Sequence, residues 1–143
     1  MRKPEKSLEF RFERTIPAPP GEVFDAWLDA KVPGTPWHEA DKLILNPKVD
    51  GFFYWLIRGT PHYGRFTEVS RPSRIQNTWM SPNTLGHETT VTVTFKKQGD
   101  DTLMTLVHSD LPDDDQAKCH EEGWNYFLDQ LVGHGWSGSH WRK

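Results

Sequence analysis

The stretch LMTLVHSDLPDDDQAKCHEEGWNYFLDQLVGHG, residues 103–135, decides the fold. It reads as a strand, a Ser-Asp-Leu-Pro turn at residues 109–112, and one long amphipathic helix. In the strand, Met104, Leu106 and His108 share one face, so the histidine points the same way as two apolar side chains. In the helix, an advance of about 100° per residue puts Ala117, His120, Trp124, Phe127, Leu128 and Leu131 on one side. Lys118, Glu122, Asn125 and Asp129 fall opposite. Asp113 with Gln116 forms a plausible capping box, and the acidic residues 113–115 suit the positive end of the helix dipole. Gly123 interrupts this helix at a cost of about 1 kcal/mol relative to alanine. Close backbone approach to the sheet, or room for a ligand, would offset that cost. A sheet closed by such a helix makes a container.

The rest of the chain supplies the sheet. Residues 8–16 alternate, with Leu8, Phe10 and Phe12 on one face and Glu9, Arg11 and Glu13 on the other. Pro19 and Pro20 mark the start of a helix, because proline is tolerated in its first turn. That helix carries Val23, Phe24 and Trp27 and ends before Pro33 and Gly34. A connector with Trp37 and His38 follows. From Lys42 onward the pattern is strands and turns, with Asp50-Gly51 reading as a hairpin turn. Phe53, Trp55 and Ile57 are placed inward. In residues 62–69 the parity is open, and Gly64 is a candidate bulge. Ile75, Asn77 and Trp79 share a face, residues 82–86 form a loop, and Val91, Val93 and Phe95 point in while Thr90, Thr92 and Thr94 point out. Short connections make consecutive strands antiparallel. The expectation is an α+β domain: one antiparallel sheet of six to seven strands with two helices on one side.

Composition narrows the function. The 143 residues are read as a single domain, 1–143, with 134–143 as a flexible tail. A net charge of −3 provides no basic field and argues against a nucleic-acid partner. The lone Cys119 excludes an internal disulfide and fits a reducing compartment. The N-terminal MRKPEKSLEF lacks an apolar leader region, and no run approaches about 18 apolar residues, so a cytoplasmic protein without a membrane span is expected. Seven Trp and eight Phe against three Tyr suit either a dense aromatic core or a core with a cavity in it.

The chemical motifs mostly eliminate themselves. His120-Glu121-Glu122-Gly123-Trp124 begins like the zinc-protease HExxH signature, but Trp124 occupies the place of the second histidine. His108, Ser109 and Asp110 are neighbours on a strand, so their side chains alternate faces and cannot assemble as a triad. Cys119 falls on the polar side of the helix with no base beside it. Residues 113–115 point in different directions, His134 and His140 lie in the tail, and no glycine-rich phosphate loop exists. No metal, no cofactor and no catalytic set is assigned. The remaining polar groups among inward aromatics are His108 and Asn77. They are read as the few groups that orient a ligand in an apolar pocket, although a buried histidine is more often a hydrogen-bonded core residue. Tyr63 or Arg65 joins them, depending on the open parity. The candidate ligand-binding set then takes Trp27, Trp37, Phe53, Trp55, Tyr63 and Asn77 from the first half of the chain. Trp79, Met104, His108, Trp124, Phe127 and Leu131 complete it.

Four segments carry a family pattern: IPAPPGEVFDAWLD (16–29), HYGRFTEVSRPSRIQNTWMS (62–81), TVTVTFKKQGDDTLMTLVHSDLPDDD (90–115) and HEEGWNYFLDQL (120–131). In this order and spacing they resemble the bacterial proteins named after the C-terminal domain of the heat-shock protein 90 ATPase activator, in the START-like (SRPBCC) superfamily. The resemblance implies a helix-grip fold, a curved sheet wrapped around the C-terminal helix with a cavity between them. It also implies binding of apolar or aromatic small molecules such as lipids, polyketides or flavonoid-like compounds; some relatives are cyclases. Asp50-Gly51 departs from the paired glycines that members often carry before the third strand.

Three functions follow as expectations. The first is a non-enzymatic binder of a hydrophobic small molecule, resting on Trp27, Trp55, Trp79, Trp124 and Phe127. The alternative is a cyclase or hydrolase with His108 as acid or base. A chaperone-activating module would need an exposed docking patch, and the outward Thr, Lys, Glu and Arg argue against that partner. Leu103 and Val107, facing outward, mark a candidate homodimer surface.

Overall fold

The computed structural model describes residues 7–113 and 117–137. Its framework is a seven-stranded antiparallel sheet in the order β1-β7-β6-β5-β4-β3-β2. The strands are β1 (Ser7–Ile16), β2 (Lys42–Leu45), β3 (Phe52–Ile57), β4 (Thr60–Ser70), β5 (Arg74–Trp79), β6 (Thr89–Gln98) and β7 (Asp101–Pro112). Helix α1 (Pro20–Trp27) packs against β6 and β7, and α2 (Ala117–Val132) runs along β1. The sheet curves around α2, an α+β helix-grip arrangement.

Alternation builds the inner face. Ile16, Phe66, Ile75, Val93 and Leu106 are fully buried there. The α1 residue Phe24 meets Phe95 of β6 edge to face, with ring centroids 5.4 Å apart. Arg14 keeps the inward parity of β1 but lies where α2 crosses, and its guanidinium donates to Asn125 Oδ1 at 2.8 Å and to Asp129 Oδ1 at 3.2 Å.

Several local expectations change. Residues 109–112 are not a turn: β7 continues to Pro112, with Leu111 opposite Leu8 and an irregularity between Leu8 and Phe10. Asp110, with φ of 65°, absorbs that irregularity. Asp50-Gly51 closes a longer loop, residues 46–51, rather than a two-residue hairpin. Asp50 has φ of 68°, and a Cβ on Gly51 would lie 2.1 Å from the Asn46 carbonyl oxygen. In β4 the inward side chains are His62 and Phe66, while Tyr63 and Arg65 face out. The bulge falls between Phe66 and Glu68, not at Gly64; Gly64 is instead a close crossing, where a Cβ would sit 2.0 Å from the Thr78 carbonyl oxygen.

The connector after α1 is anchored on α2. Gly34 adopts φ of 97° and lies so close to Leu131 that a Cβ would come within 2.3 Å of that residue's backbone nitrogen. Trp37 donates its indole N–H to the Trp27 carbonyl at 2.9 Å. The start of the expected tail is tied down as well. Trp136 is buried and donates to the Leu131 carbonyl at 2.8 Å, and the Ser137 amide donates to Glu22 at 3.0 Å. The capping box proposed at Asp113 and Gln116 depends on residues 114–116, and the remainder of the tail is residues 138–143; both lie outside the described residues.

Candidate functional site

Between α2 and strands β3–β5, the helix and the sheet do not fully close on each other. A chamber of about 90 Å³ lies between them. Its sheet wall is Trp55 of β3, His62 of β4 and Trp79 of β5. Register explains the placement: Trp55 and His62 are direct cross-strand partners, and their rings lie 4.3 Å apart. Trp79 joins from the next strand, 5.5 Å from Trp55 and 5.2 Å from His62. The helix wall is Trp124 and Phe127, with His120, Gly123 and Cys119 toward the opening. Asn83 forms the rim from a short 3₁₀ turn, Pro82–Thr84. That turn is held by reciprocal capping, since Ser81 Oγ accepts from the Asn83 amide at 3.0 Å and Thr84 Oγ1 accepts from the Ser81 amide at 3.2 Å. A vestibule of about 420 Å³ shares Trp55, His62, Gly123 and Phe127 with the chamber and extends it past Ile57, Thr60 and Tyr126.

His108 sits behind the chamber and is fully buried. The Trp124 indole N–H donates to its Nδ1 at 2.9 Å. An indole nitrogen can only donate, so Nδ1 is the acceptor and the neutral ring carries its proton on Nε2. Nε2 then donates to Thr89 Oγ1 at 2.8 Å, and that hydroxyl donates to the Trp79 carbonyl at 2.6 Å. One directed chain therefore links the helix to three strands, β7, β6 and β5. Burial holds His108 well below the ordinary imidazole range, with nearby His120 and His62 acting in the same direction.

His62 is the opposite case. Its Nδ1 has no hydrogen-bond partner. Burial pushes its pKa down to about 4, opposed by the Trp55 backbone and aided by His120. The indole nitrogens of Trp55 and Trp79 are also buried without a partner.

Of the residues expected at the site, Trp55, Trp79, Trp124 and Phe127 line the chamber. Trp27 and Phe53 stand behind them, 6.3 Å from Trp124 and 5.6 Å from Trp79, and Trp37 packs on Phe53 at 5.2 Å. Met104 is buried on β7, and Leu131 is covered by Gly34. Asn77 is buried, but its amide turns to the Thr78 carbonyl at 2.9 Å. Tyr63 faces the outer surface and is 43% exposed, so His62 holds the inward position instead. His62 shares its buried face with Gly64 and Phe66. Cys119, read as lying on the polar side, is exposed yet borders the chamber mouth. Among the described residues, no group of three or more His, Cys, Asp or Glu side chains is placed to hold a metal ion.

Residues 17–134 match the sequence profile of the family described as Activator of Hsp90 ATPase homolog 1-like protein. No curated protein matches the chain in sequence. Among solved structures, an Hsp90 activator from Plasmodium falciparum superposes with a TM-score of 0.74 at 24% identity, over 89% of this chain and 97% of that one. CalU16 from Micromonospora echinospora gives 0.65 at 21% identity, over 87% and 74%. DynU16, a protein of the dynemicin biosynthetic locus, gives 0.70 at 20% identity; the match spans 87% of this chain and 46% of that one. At such identities the likeness carries the fold alone. The profile, however, runs from just before α1 to just past α2, and the chain belongs to the Activator of Hsp90 ATPase homolog 1-like family, with the START-like helix-grip fold.

Proposed function

We propose that this protein binds a hydrophobic or aromatic small molecule between the sheet and α2. The observation that carries the reading is Gly123. A Cβ there would meet nothing within 4 Å, so close backbone packing does not explain the glycine. It borders both chamber and vestibule, where its missing side chain widens the passage between them. The chamber, at about 90 Å³, is smaller than the roughly 150 Å³ apolar cavity that takes a benzene ring. The vestibule, at about 420 Å³, falls within the roughly 300–1,000 Å³ of ordinary ligand sites. A lipid, polyketide or flavonoid-like ligand would therefore place one narrow end in the chamber and its bulk in the vestibule. The similarity to DynU16, a protein of the dynemicin biosynthetic locus, is compatible with such a ligand.

The alternative of a hydrolase or cyclase using His108 has less support, because both ring nitrogens are engaged and no lone pair is free to take a proton. The test of binding is titration with a panel of lipids, flavonoids and polyketide-like aromatics, followed by tryptophan emission and amide shifts. Responses confined to the residues around Trp55, Trp79 and Trp124 are expected. A panel without any response would remove the proposal.

A second reading draws on the outer face. Ile44, Tyr54 and Tyr63 stand in one cross-strand row, with Phe52 beside them. Ile44 and Phe52 are 64% and 66% exposed, a patch that the outward Thr, Lys, Glu and Arg did not suggest. Together with the likeness to an Hsp90 activator it supports a docking role. A pull-down with the chaperone's middle domain tests it, and loss of capture in Phe52→Ser would assign the patch.

A further inference from the structure

Buried tryptophans ordinarily find an acceptor for the indole N–H. Trp37, Trp124 and Trp136 do so in this protein, donating to the Trp27 carbonyl, to His108 Nδ1 and to the Leu131 carbonyl. Trp55 and Trp79 do not, although they are only 3% and 4% exposed. These two belong to the sheet wall of the chamber, and between them lies His62, 6% exposed, whose Nδ1 is also unpartnered. Three buried polar atoms without partners, all on residues lining one small cavity, are costly unless something in that cavity meets them. From this geometry we infer that the chamber receives an oxygen acceptor, of the ketone, ester or quinone type, on the planar end of a neutral ligand, held by the Trp55 and Trp79 N–H groups beside His62. The inference rests on the binding role proposed above and specifies its chemistry.

Neutrality follows from the charge around the chamber. His108 is neutral in its hydrogen-bond chain, and His62 is neutral at pH 7 because burial suppresses its protonation. Among the described residues no Lys or Arg lines the chamber, and the one cation of the vestibule lining, Arg58, has Glu122 in the same lining and Glu39 within 3.9 Å of its guanidinium. A carboxylate placed there would lose its hydration without gaining a fixed cation. The ring of aromatics suits a flat group: going round Trp55, Trp79, Trp124 and Phe127, each ring lies 5.2–6.4 Å from the next. The remainder of the ligand then passes over Gly123 into the vestibule.

Three naphthalene probes of nearly equal shape test this: 2-acetylnaphthalene, its hydrocarbon isostere 2-isopropenylnaphthalene, and 2-naphthoate. Binding is followed by 15N–1H spectra of the indole N–H groups, assigned with single Trp→Phe variants. The expected result is that the ketone binds about tenfold tighter than the hydrocarbon, the gain of one to two hydrogen bonds. The Trp55 and Trp79 indole protons should move downfield with the ketone and stay within the range of ring-current shifts with the hydrocarbon. In Trp55→Phe, whatever the smaller ring costs both probes, the ratio of ketone to hydrocarbon affinity should shrink to about threefold. Equal affinities for ketone and hydrocarbon, without the selective indole shifts, would overturn the oxygen site and leave the binding role standing. Tighter binding of 2-naphthoate than of the ketone would overturn the neutral class. If none of the three binds and the wider panel also fails, the binding role itself is refuted.

Discussion

His62 and His108 are both buried histidines on the inner face of one sheet, and burial lowers the pKa of both. They nevertheless do opposite things. His108 spends both ring nitrogens on partners from α2 and β6, and through Thr89 its chain ends at the β5 backbone. His62 is packed between two indoles with Nδ1 unmatched. The difference lies in what stands opposite. Trp124 presents a donor to His108 and Thr89 presents an oxygen, whereas the chamber stands opposite His62. Burial alone therefore does not distinguish a structural histidine from one at a binding site; the completeness of its hydrogen bonding does.

The largest effect expected from this contrast is on stability. His108→Ala leaves the Trp124 N–H without its acceptor and opens a cavity in the core, and should destabilise the fold by about 4 kcal/mol in urea unfolding. His62→Phe removes an unmatched polar group from an aromatic setting and should leave stability at pH 7 unchanged or raise it by about 1 kcal/mol. Similar losses in the two variants would erase the distinction drawn between them.

Acid titration ranks next. Both folded-state pKa values lie below the ordinary imidazole value of 6.5, so below that pH the unfolded chain binds protons that the folded chain refuses. Stability is therefore fully present above about pH 6.5 and declines as the pH falls from there through about 4, where His62 itself titrates. The groups facing His62 across the chamber are His120 and, at the mouth, Cys119, Glu122 and Arg58. The His62 contribution is about 3 kcal/mol, and His62→Phe should remove that part of the slope and leave the His108 part. An unaltered slope in the variant would mean that His62 does not refuse the proton. Trp124→Phe probes the other histidine. It keeps a ring in place but removes the donor to His108 Nδ1, and a loss of about 2 kcal/mol at pH 7 is expected from thermal unfolding.

Much of this could be read from the chain, and the misses have physical reasons. Strict alternation placed Val91, Val93 and Phe95 inward, and the 3.6-residue period placed Trp124 and Phe127 on the buried face of α2, because each pattern has a single face that can be buried. Parity in residues 62–69 stayed open because Tyr63 and His62 are both amphipathic and neither decides a face. Gly64 and its crossing with Thr78 decide it, and such a crossing is visible only once the neighbouring strand is in place. Residues 109–112 resembled a turn because they contain Ser, Asp and Pro, but pairing with β1 overrides local preference and carries the strand to Pro112. Asn77 had the right parity for the site, yet its amide satisfies itself on the adjacent Thr78 carbonyl. The sequence could pick out His108 as a buried polar group. It could not show that Trp124 and Thr89 complete its hydrogen bonds, since those partners come from 16 and 19 residues away.

The smallest expected effect bears most directly on the chamber. Gly123 lies inside α2, where a glycine costs about 1 kcal/mol relative to alanine, and a Cβ there would meet nothing within 4 Å. Gly123→Ala should therefore raise the unfolding free energy by about 1 kcal/mol, since the helix gains propensity and no neighbour must move. The added methyl group would project at the junction of chamber and vestibule, where a bound ligand has to pass. A ligand reaching from one to the other should bind Gly123→Ala several-fold more weakly, and Gly123→Leu more weakly still. Binding unaffected by either substitution would show that the ligand does not cross the helix there. A variant more stable than the parent but poorer at binding would identify Gly123 as a position where helix stability is given up for access, the counterpart at the mouth of the unmatched His62 within.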